Sequence, residues 1–340
     1  MIVLLLAWGS VPYSRRGGPS VWSSKQERVV AQTQRRGGCV WTSGPSRVGI
    51  VLRSLPRTFG AFMTSQMTSG ADLTSGASSS LQAARSDLRI AVPDAHTRYD
   101  QHEEWFLVQR DGVWEEMRLH DYDRVFAIPG LYERVVYDIF GCRSPEVVCD
   151  LLGEQLRGAG IDPASVRALD LGAGNGYVAD QVRRIGLRRI VGVDIEPAAR
   201  VAAERDRPGM YEDYAIVDLT SPAAKDEPAL ASEPFDLLTC VAALGFGDIP
   251  PRAFATAVSF VRDGGLLAFT INSRFTRAAD DESGFAKLLR GAQEQRVLCP
   301  IATRDYVHRV ATNGEKIRYT AMIAEKVSDM PESLIESAER

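Results

Sequence analysis

Asp170-Leu171-Gly172-Ala173-Gly174-Asn175-Gly176 follows the apolar pair Ala168-Leu169 and precedes a run in which Val178, Val182 and Ile185 recur at helical spacing. Glycines at alternate positions between a strand and a helix let the backbone approach a ligand lying over the helix N-terminus. The bland alternative is a tight turn with no ligand, so spacing has to decide. A dinucleotide fingerprint reads Gly-x-Gly-x-x-Gly or Ala. Here the glycines stand at 172, 174 and 176, and Tyr177 takes the place of the third small residue. A tyrosine there obstructs close helix-strand packing, which disfavours a nicotinamide or flavin dinucleotide.

Outward from this turn the chain alternates strand-like and helix-like text. Strands are expected at 168–171, 189–195, 215–219, 235–243 and 266–271. Helices are expected at 177–185, 197–206, 251–261 and 283–295, with Asp263-Gly-Gly265 turning the chain back. Short, nearly all-apolar strands separated by helices mean a parallel sheet covered on both faces, an α/β, Rossmann-like, doubly wound architecture. Runs at 306–310 and 316–327 flank Asn313-Gly314, a hairpin signal. Ahead of the sheet, two extended runs surround Asp111-Gly112. Leu131, Val135 and Ile139 then mark a helix that Gly141 ends. A second helix has Ser144 as its cap and Pro145 at its first position.

Three acids close the first three strands: Asp170, Asp194 and Asp218. Each alone could merely cap the next helix. Together they gather at the carboxyl edge of the sheet, where ligands of doubly wound folds bind. Asp194 stands at the distance downstream expected of an acid that accepts from ribose hydroxyls, and no Arg follows it to signal a 2'-phosphate.

The pattern acid-x-Gly-x-Gly-x-Gly resembles motif I of the class I S-adenosyl-L-methionine-dependent methyltransferases, and the likeness runs from Ala168 to Lys326. Asp248-Ile-Pro-Pro-Arg-Ala-Phe254 and Arg262-Asp-Gly-Gly-Leu-Leu-Ala-Phe-Thr270 also look like this family. The resemblance implies a seven-stranded, mostly parallel sheet, with the hairpin as sixth and seventh strands and the last antiparallel. It implies S-adenosyl-L-methionine as cofactor and no metal. Asp170 would help hold the methionine end, with Gly172, Ala173, Gly174, Asn175 and Gly176 packed against it. Asp194 and Ile195 would meet the ribose, Asp218 and Leu219 the adenine, and Cys240 would complete the set. Within the family, His120-Asp-Tyr122 and Pro129-Gly-Leu-Tyr-Glu133 resemble a bacterial subgroup.

Cys240-Val-Ala-Ala-Leu-Gly stands where amino-directed nucleic-acid and some protein methyltransferases have Asn/Asp-Pro-Pro-aromatic. A small-molecule acceptor is therefore favoured. His120 is the one candidate base. His308, in the hairpin, reads as structural, and the catalytic set stays unassigned. Trp105, Phe106, Trp114, Tyr122, Phe126 and Tyr132 could line an acceptor pocket or simply pack a core. Two rival functions stand beside the enzyme: a cofactor-binding sensor without an acceptor pocket, and an NAD-dependent oxidoreductase.

Bulk properties agree with a globular enzyme. The 340 residues carry a net charge of -4, yet residues 1–70 hold eight Arg and Lys25 against the single acid Glu27. The remaining acidic body lacks the basic stripe that nucleic acid requires. No apolar run is long enough to span a bilayer. Five scattered cysteines without a Cys-x-x-Cys pair fit neither a disulfide framework nor zinc, and point to a reducing, cytoplasmic setting. Residues 1–95 read as a low-complexity extension, 96–160 as a small cover, 161–328 as the catalytic domain and 329–340 as a tail. For residues 1–62 a secretory signal is disfavoured and a transit peptide fits the Arg/Ser composition. Translation starting at Met63 or Met67 is preferred, on the loss of arginines there.

Overall fold

In the computed structural model, residues 81–93, 103–245, 248–276, 281 and 283–340 are described. A small antiparallel sheet comes first: β1 (Ile90–Ala91), β2 (Trp105–Arg110) and β3 (Val113–Arg118), with β2 and β3 joined at Asp111-Gly112. Both turn residues have positive φ, as a tight hairpin needs. Helix α1 (Tyr122–Ala127), the segment Leu131–Ile139 and helix α2 (Ser144–Ala159) complete this cover.

The second sheet contains β4 (Arg167–Leu171), β5 (Arg189–Asp194), β6 (Asp213–Ile216), β7 (Phe235–Leu244), β8 (Val261–Asn272), β9 (Leu298–Val310) and β10 (Lys316–Lys326). Its order is β6-β5-β4-β7-β8-β10-β9, parallel from β6 to β8, with β10 antiparallel to both β8 and β9. This is the doubly wound, seven-stranded arrangement expected from the sequence.

Side-chain alternation along β4 explains why both faces are apolar. Leu169 and Leu171 pack with α5 (Pro251–Ser259), α6 (Phe285–Glu294) and α7 (Glu332–Glu339). Ala168 points the other way, toward α2 and α3 (Tyr177–Arg184). Helix α4 (Pro197–Asp206) buries Ala199, Ala202 and Ala203 against Phe126 of α1, which joins the cover to the sheet.

Several boundaries differ from the sequence reading, each for a local reason. Strand β6 ends at Ile216, so Val217, Asp218 and Leu219 leave the ladder. Asp263-Gly-Gly265 bulges β8 instead of turning it, since the ladder passes from Phe235↔Val261 directly to Leu237↔Leu266. Within Leu131–Ile139, Arg134–Ile139 winds as a π-helix, and Val136 and Phe140 become buried. Ser144 is not a cap: it lies inside α2, fully buried.

Within the expected extension 1–95, residues 81–87 are helical and β1 pairs with β2. Residues 1–80 lie outside the described residues. The segment 329–340 is not a free tail, because α7 buries Leu334, Ile335 and Ala338 against the core. Glycine makes that docking close: a Cβ at Gly284 would run into the Ala338 carbonyl. Among the described residues no helix is long and apolar enough to cross a membrane.

Candidate active site

Two cavities meet at the carboxyl edge of the sheet. The first, a cleft of about 990 Å³ counting its open mouth, runs along the ends of β4, β5 and β6 and is closed by Asp248, Ile249 and Pro250. The second holds about 750 Å³ and lies between the sheet and the cover. Tyr122, Tyr132, Gly172, Gly174, Val241, Ala242 and Asp248 line both.

The glycine turn separates them. Gly172 (φ 68°), Gly174 (φ 54°) and Gly176 (φ 83°) are all left-handed. A Cβ at Gly172 would meet Ile249 at 3.2 Å, and one at Gly174 would meet Phe126 at 3.3 Å, so side chains here would fill the cleft wall. Ala173 and Asn175 line only the second cavity. Among the described residues Gly176 lines neither; it starts α3 against Tyr211.

Asp194 lines the cleft, with Oδ2 accepting from the Gly174 amide at 2.9 Å and Oδ1 from the Glu196 amide at 3.0 Å. Burial pushes its pKa up while these amides pull it down. A carboxylate has about four lone-pair sites, so the loop amides do not exhaust its capacity for ligand hydroxyls. Ile195 lies beside it, 63% exposed, an apolar side chain at the cleft mouth. Asp218 and Leu219 form the far wall. Oδ1 of Asp218 accepts from the Thr220 hydroxyl at 2.7 Å and its amide at 2.8 Å, which lowers its pKa. That is the turn-capping role an isolated strand-end aspartate would have, and it leaves Oδ2 over.

Two other expected cofactor residues sit elsewhere. Asp170 does not wall either cavity. Alternation along β4 turns Leu171 to the cleft and Asp170 to the opposite face. There its carboxylate accepts from Thr239 Oγ1 at 2.7 Å and Tyr211 Oη at 2.9 Å, and burial pushes its pKa up to about 6. Cys240 is level with Leu171 but packed into the core at zero exposure. The wall begins one residue later, at Val241. Asn175 donates to Glu133 Oε1 at 3.0 Å, so its amide ties the turn to the cover.

The second cavity is aromatic and nearly neutral. Tyr137 stacks on Tyr177 at 3.9 Å, and His308 stacks on Tyr319 at 4.0 Å. Arg309 borders it, but a buried ion pair with Glu104 neutralises its charge. His120, stacked on Tyr122, borders it too, and Tyr122 Oη donates to Asp248 at 3.5 Å. Of the six aromatics singled out in the sequence, Tyr122, Phe126 and Tyr132 line cavities, whereas Phe106 packs the cover core and Trp114 faces solvent.

His308 is the residue the sequence reading undervalued. It is buried, lines the second cavity, and its Nδ1 lies 2.7 Å from Ser144 Oγ. Polar Tyr306 and His308 at alternate, inward positions of one strand were the available signal.

Residues 169–269 match the family described as a methyltransferase domain. They are a methyltransferase domain. Ubiquinone biosynthesis O-methyltransferase of Aromatoleum aromaticum is 30% identical over 152 residues, 44% of this chain and 59% of that protein. Human methyltransferase-like protein 27 is 30% identical over 154 residues, 45% of this chain and 57% of that protein. The chain thus spans under three fifths of the length of these relatives. Among solved structures, N-methyltransferase NodS from Bradyrhizobium japonicum, in complex with S-adenosyl-L-homocysteine, aligns with TM-score 0.44 at 16% identity. That alignment covers 61% of this chain and 97% of NodS. Residues 169–269 supply most of the cleft and one wall of the second cavity, while Tyr122, Phe126 and Tyr132 of the cover reach into the cleft and the cover forms much of the other wall.

Proposed function

We propose that this chain is an S-adenosyl-L-methionine-dependent methyltransferase whose acceptor is a small, neutral, aromatic molecule. The carrying observation is the pair of abutting cavities: an acid-edged cleft over the glycine turn opens onto an aromatic chamber roofed by the cover. A sensor that only binds cofactor has no use for the second chamber. The residues of the cleft suit the cofactor. Asp194 would accept from ribose hydroxyls, Asp218 Oδ2 from the adenine amine, and Ile195 and Leu219 would cover the base.

The cofactor, when bound, supplies a methyl group already activated on a sulfonium. This chain's task is then to align an acceptor for in-line displacement and to exclude water. Tyr122 and Tyr132, lining both cavities, would hold the acceptor ring across the boundary. Asp248, at that same boundary, is the carboxylate placed to take a proton from an acceptor hydroxyl; His120 is the second candidate. Among the described residues the arginine bordering the chamber, Arg309, is paired with Glu104, which favours neutral over anionic acceptors. The O-methylation named for the Aromatoleum relative supports the small-molecule class.

Calorimetric titration with S-adenosylmethionine, S-adenosylhomocysteine and NAD tests the cofactor. NAD binding without a response to the other two would overturn the reading. Mass-spectrometric screening of small phenols with isotopically labelled cofactor then tests transfer. Tight binding of the homocysteine product with no labelled product across a metabolite extract would favour the sensor.

A further inference from the structure

The ladder between β9 and β10 skips one residue. Arg318 pairs with Val307 and Ile317 with Arg309, so His308 is the extra residue of a bulge. Bulges beside functional sites re-aim a side chain. A second irregularity interrupts β7 against β8 between Cys240 and Leu244, and within it Ala242 takes φ 61°. Ala242 and His308 line the same cavity.

Buried hydrogen bonds join the two irregularities. The Ala242 amide donates to Thr270 Oγ1 at 2.7 Å. The Thr270 side chain lies within hydrogen-bonding reach of Tyr306, Tyr306 Oη is bonded to Ser144 Oγ, and Ser144 Oγ lies 2.7 Å from His308 Nδ1. The direction of this chain follows from its first member, because a backbone N–H can only donate. Thr270 is fully buried, so its own proton needs an acceptor, and Tyr306 Oη is there. The tyrosine proton then passes to Ser144, and the serine proton to His308 Nδ1. Running the chain the other way would strand the Thr270 hydroxyl proton.

Nδ1 therefore accepts. The Cys142 thiol, 3.7 Å from the same nitrogen and with its pKa pushed up to about 12 by burial, keeps its proton and adds no competing acceptor charge. Burial and the neighbouring Arg309 also disfavour an imidazolium. A neutral ring that accepts at Nδ1 carries its hydrogen on Nε2. Among the described residues Nε2 has no hydrogen-bond partner in the protein.

We propose that His308 is a specificity-determining donor, held by the Ala242–Thr270–Tyr306–Ser144 chain with Nε2–H presented to the acceptor cavity. It would select aromatic acceptors bearing a carbonyl or ether oxygen. This proposal rests on the methyl-transfer reading for its meaning but not for its test.

The tautomer is read in the ligand-free full-length protein by two-bond proton–nitrogen NMR with labelled histidine, the His308 signals being assigned by their loss in His308→Phe. The expected result at neutral pH is a protonated Nε2 and a bare Nδ1; a protonated Nδ1 or an imidazolium would overturn the proposal. Ser144→Ala should mix the two tautomers and Ser144→Thr should restore one. Tyr306→Phe, cutting the chain further back, should give a weaker mixing. An unchanged spectrum in both Ser144→Ala and Tyr306→Phe would show that the chain does not hold the ring. Probe binding tests the donor itself: 4-hydroxyacetophenone should bind about tenfold more tightly than 4-ethylphenol, and His308→Phe should erase the preference. Equal affinities, failure of both to bind included, or a preference that survives in His308→Phe, would refute it. None of these measurements needs cofactor or turnover, so they stand apart from the fate of the methyl-transfer reading.

Discussion

The amide of Ala242 is hydrogen-bonded to the hydroxyl of Thr270 at 2.7 Å, which fixes a non-glycine residue at φ 61° on the wall shared by both cavities. A left-handed alanine costs free energy and persists only where its surroundings over-determine it. Thr270→Val removes the acceptor but keeps the volume. It should lower stability by ~1–3 kcal/mol, the cost of a stranded buried donor, whereas Thr270→Ser should stay near wild type. Thermal unfolding of the three proteins checks this. Equal melting points for Val and Thr would mean that the strand irregularity, not the hydroxyl, holds Ala242.

Asp194 carries two loads, the amides of Gly174 and Glu196 and the ligand hydroxyls assigned to it above. Asp194→Ala should weaken S-adenosylhomocysteine by ~1–3 kcal/mol. Asp194→Asn keeps an oxygen for the loop amide while removing half of the acceptor capacity, so it should fall between. Calorimetry on both variants distinguishes a ligand contact from a turn cap: retention of wild-type affinity in Asp194→Ala would leave the carboxylate with its structural role alone.

Asp170 should make cofactor affinity depend on pH in one direction. Its folded pKa, about 6, lies above the unfolded value of 3.8. Between those values the folded chain binds more protons than the unfolded chain, so this group adds stability as pH falls from about 6 and opposes folding above it. A sulfonium is positive and favours the ionised carboxylate, whereas the thioether of the product is neutral. The ratio of S-adenosylmethionine to S-adenosylhomocysteine affinity should therefore drop as pH is lowered through about 6. Taking the ratio cancels contributions from hydroxyl contacts to Asp194, which both ligands would share. A ratio flat from pH 5 to 8 would place the Asp170 titration elsewhere.

The sheet was legible because its information is local. Apolar strands of five or six residues, glycine at 172, 174 and 176, and Asn313-Gly314 each act through backbone geometry that a short window contains. The strand-end acids were legible for the same reason. What escaped depended on long-range company. Ser144 reads as a cap by every local rule, yet partners 162 and 164 residues away, Tyr306 and His308, draw it into the core. Asp170 stands one residue before the end of β4, but a single step of alternation decides between cleft and core, and only the packing of Tyr211 and Thr239 settles it. The last helix went unread because its partners, Gly284 and Gly291, are recognisable only when docked.

Glu133 offers the sharpest check on how the cover is coupled to the glycine turn. Its buried carboxylate accepts from Arg85 at 2.8 Å, Arg207 at 2.7 Å and Asn175 at 3.0 Å. Removing one partner of a buried ionic cluster leaves the others uncompensated, so Glu133→Gln should destabilise by roughly 3–5 kcal/mol. Asn175→Ala alone should cost about 1 kcal/mol by losing the amide's hydrogen bond to Glu133 and its longer one to Asp206. Because both act through the same contact, the double variant should be less destabilised than the sum of the single ones, a coupling readable in a double-mutant cycle by denaturant unfolding. Additive losses would mean that Asn175 acts independently of Glu133. In that case a direct contact between its amide and the cofactor would be the better account.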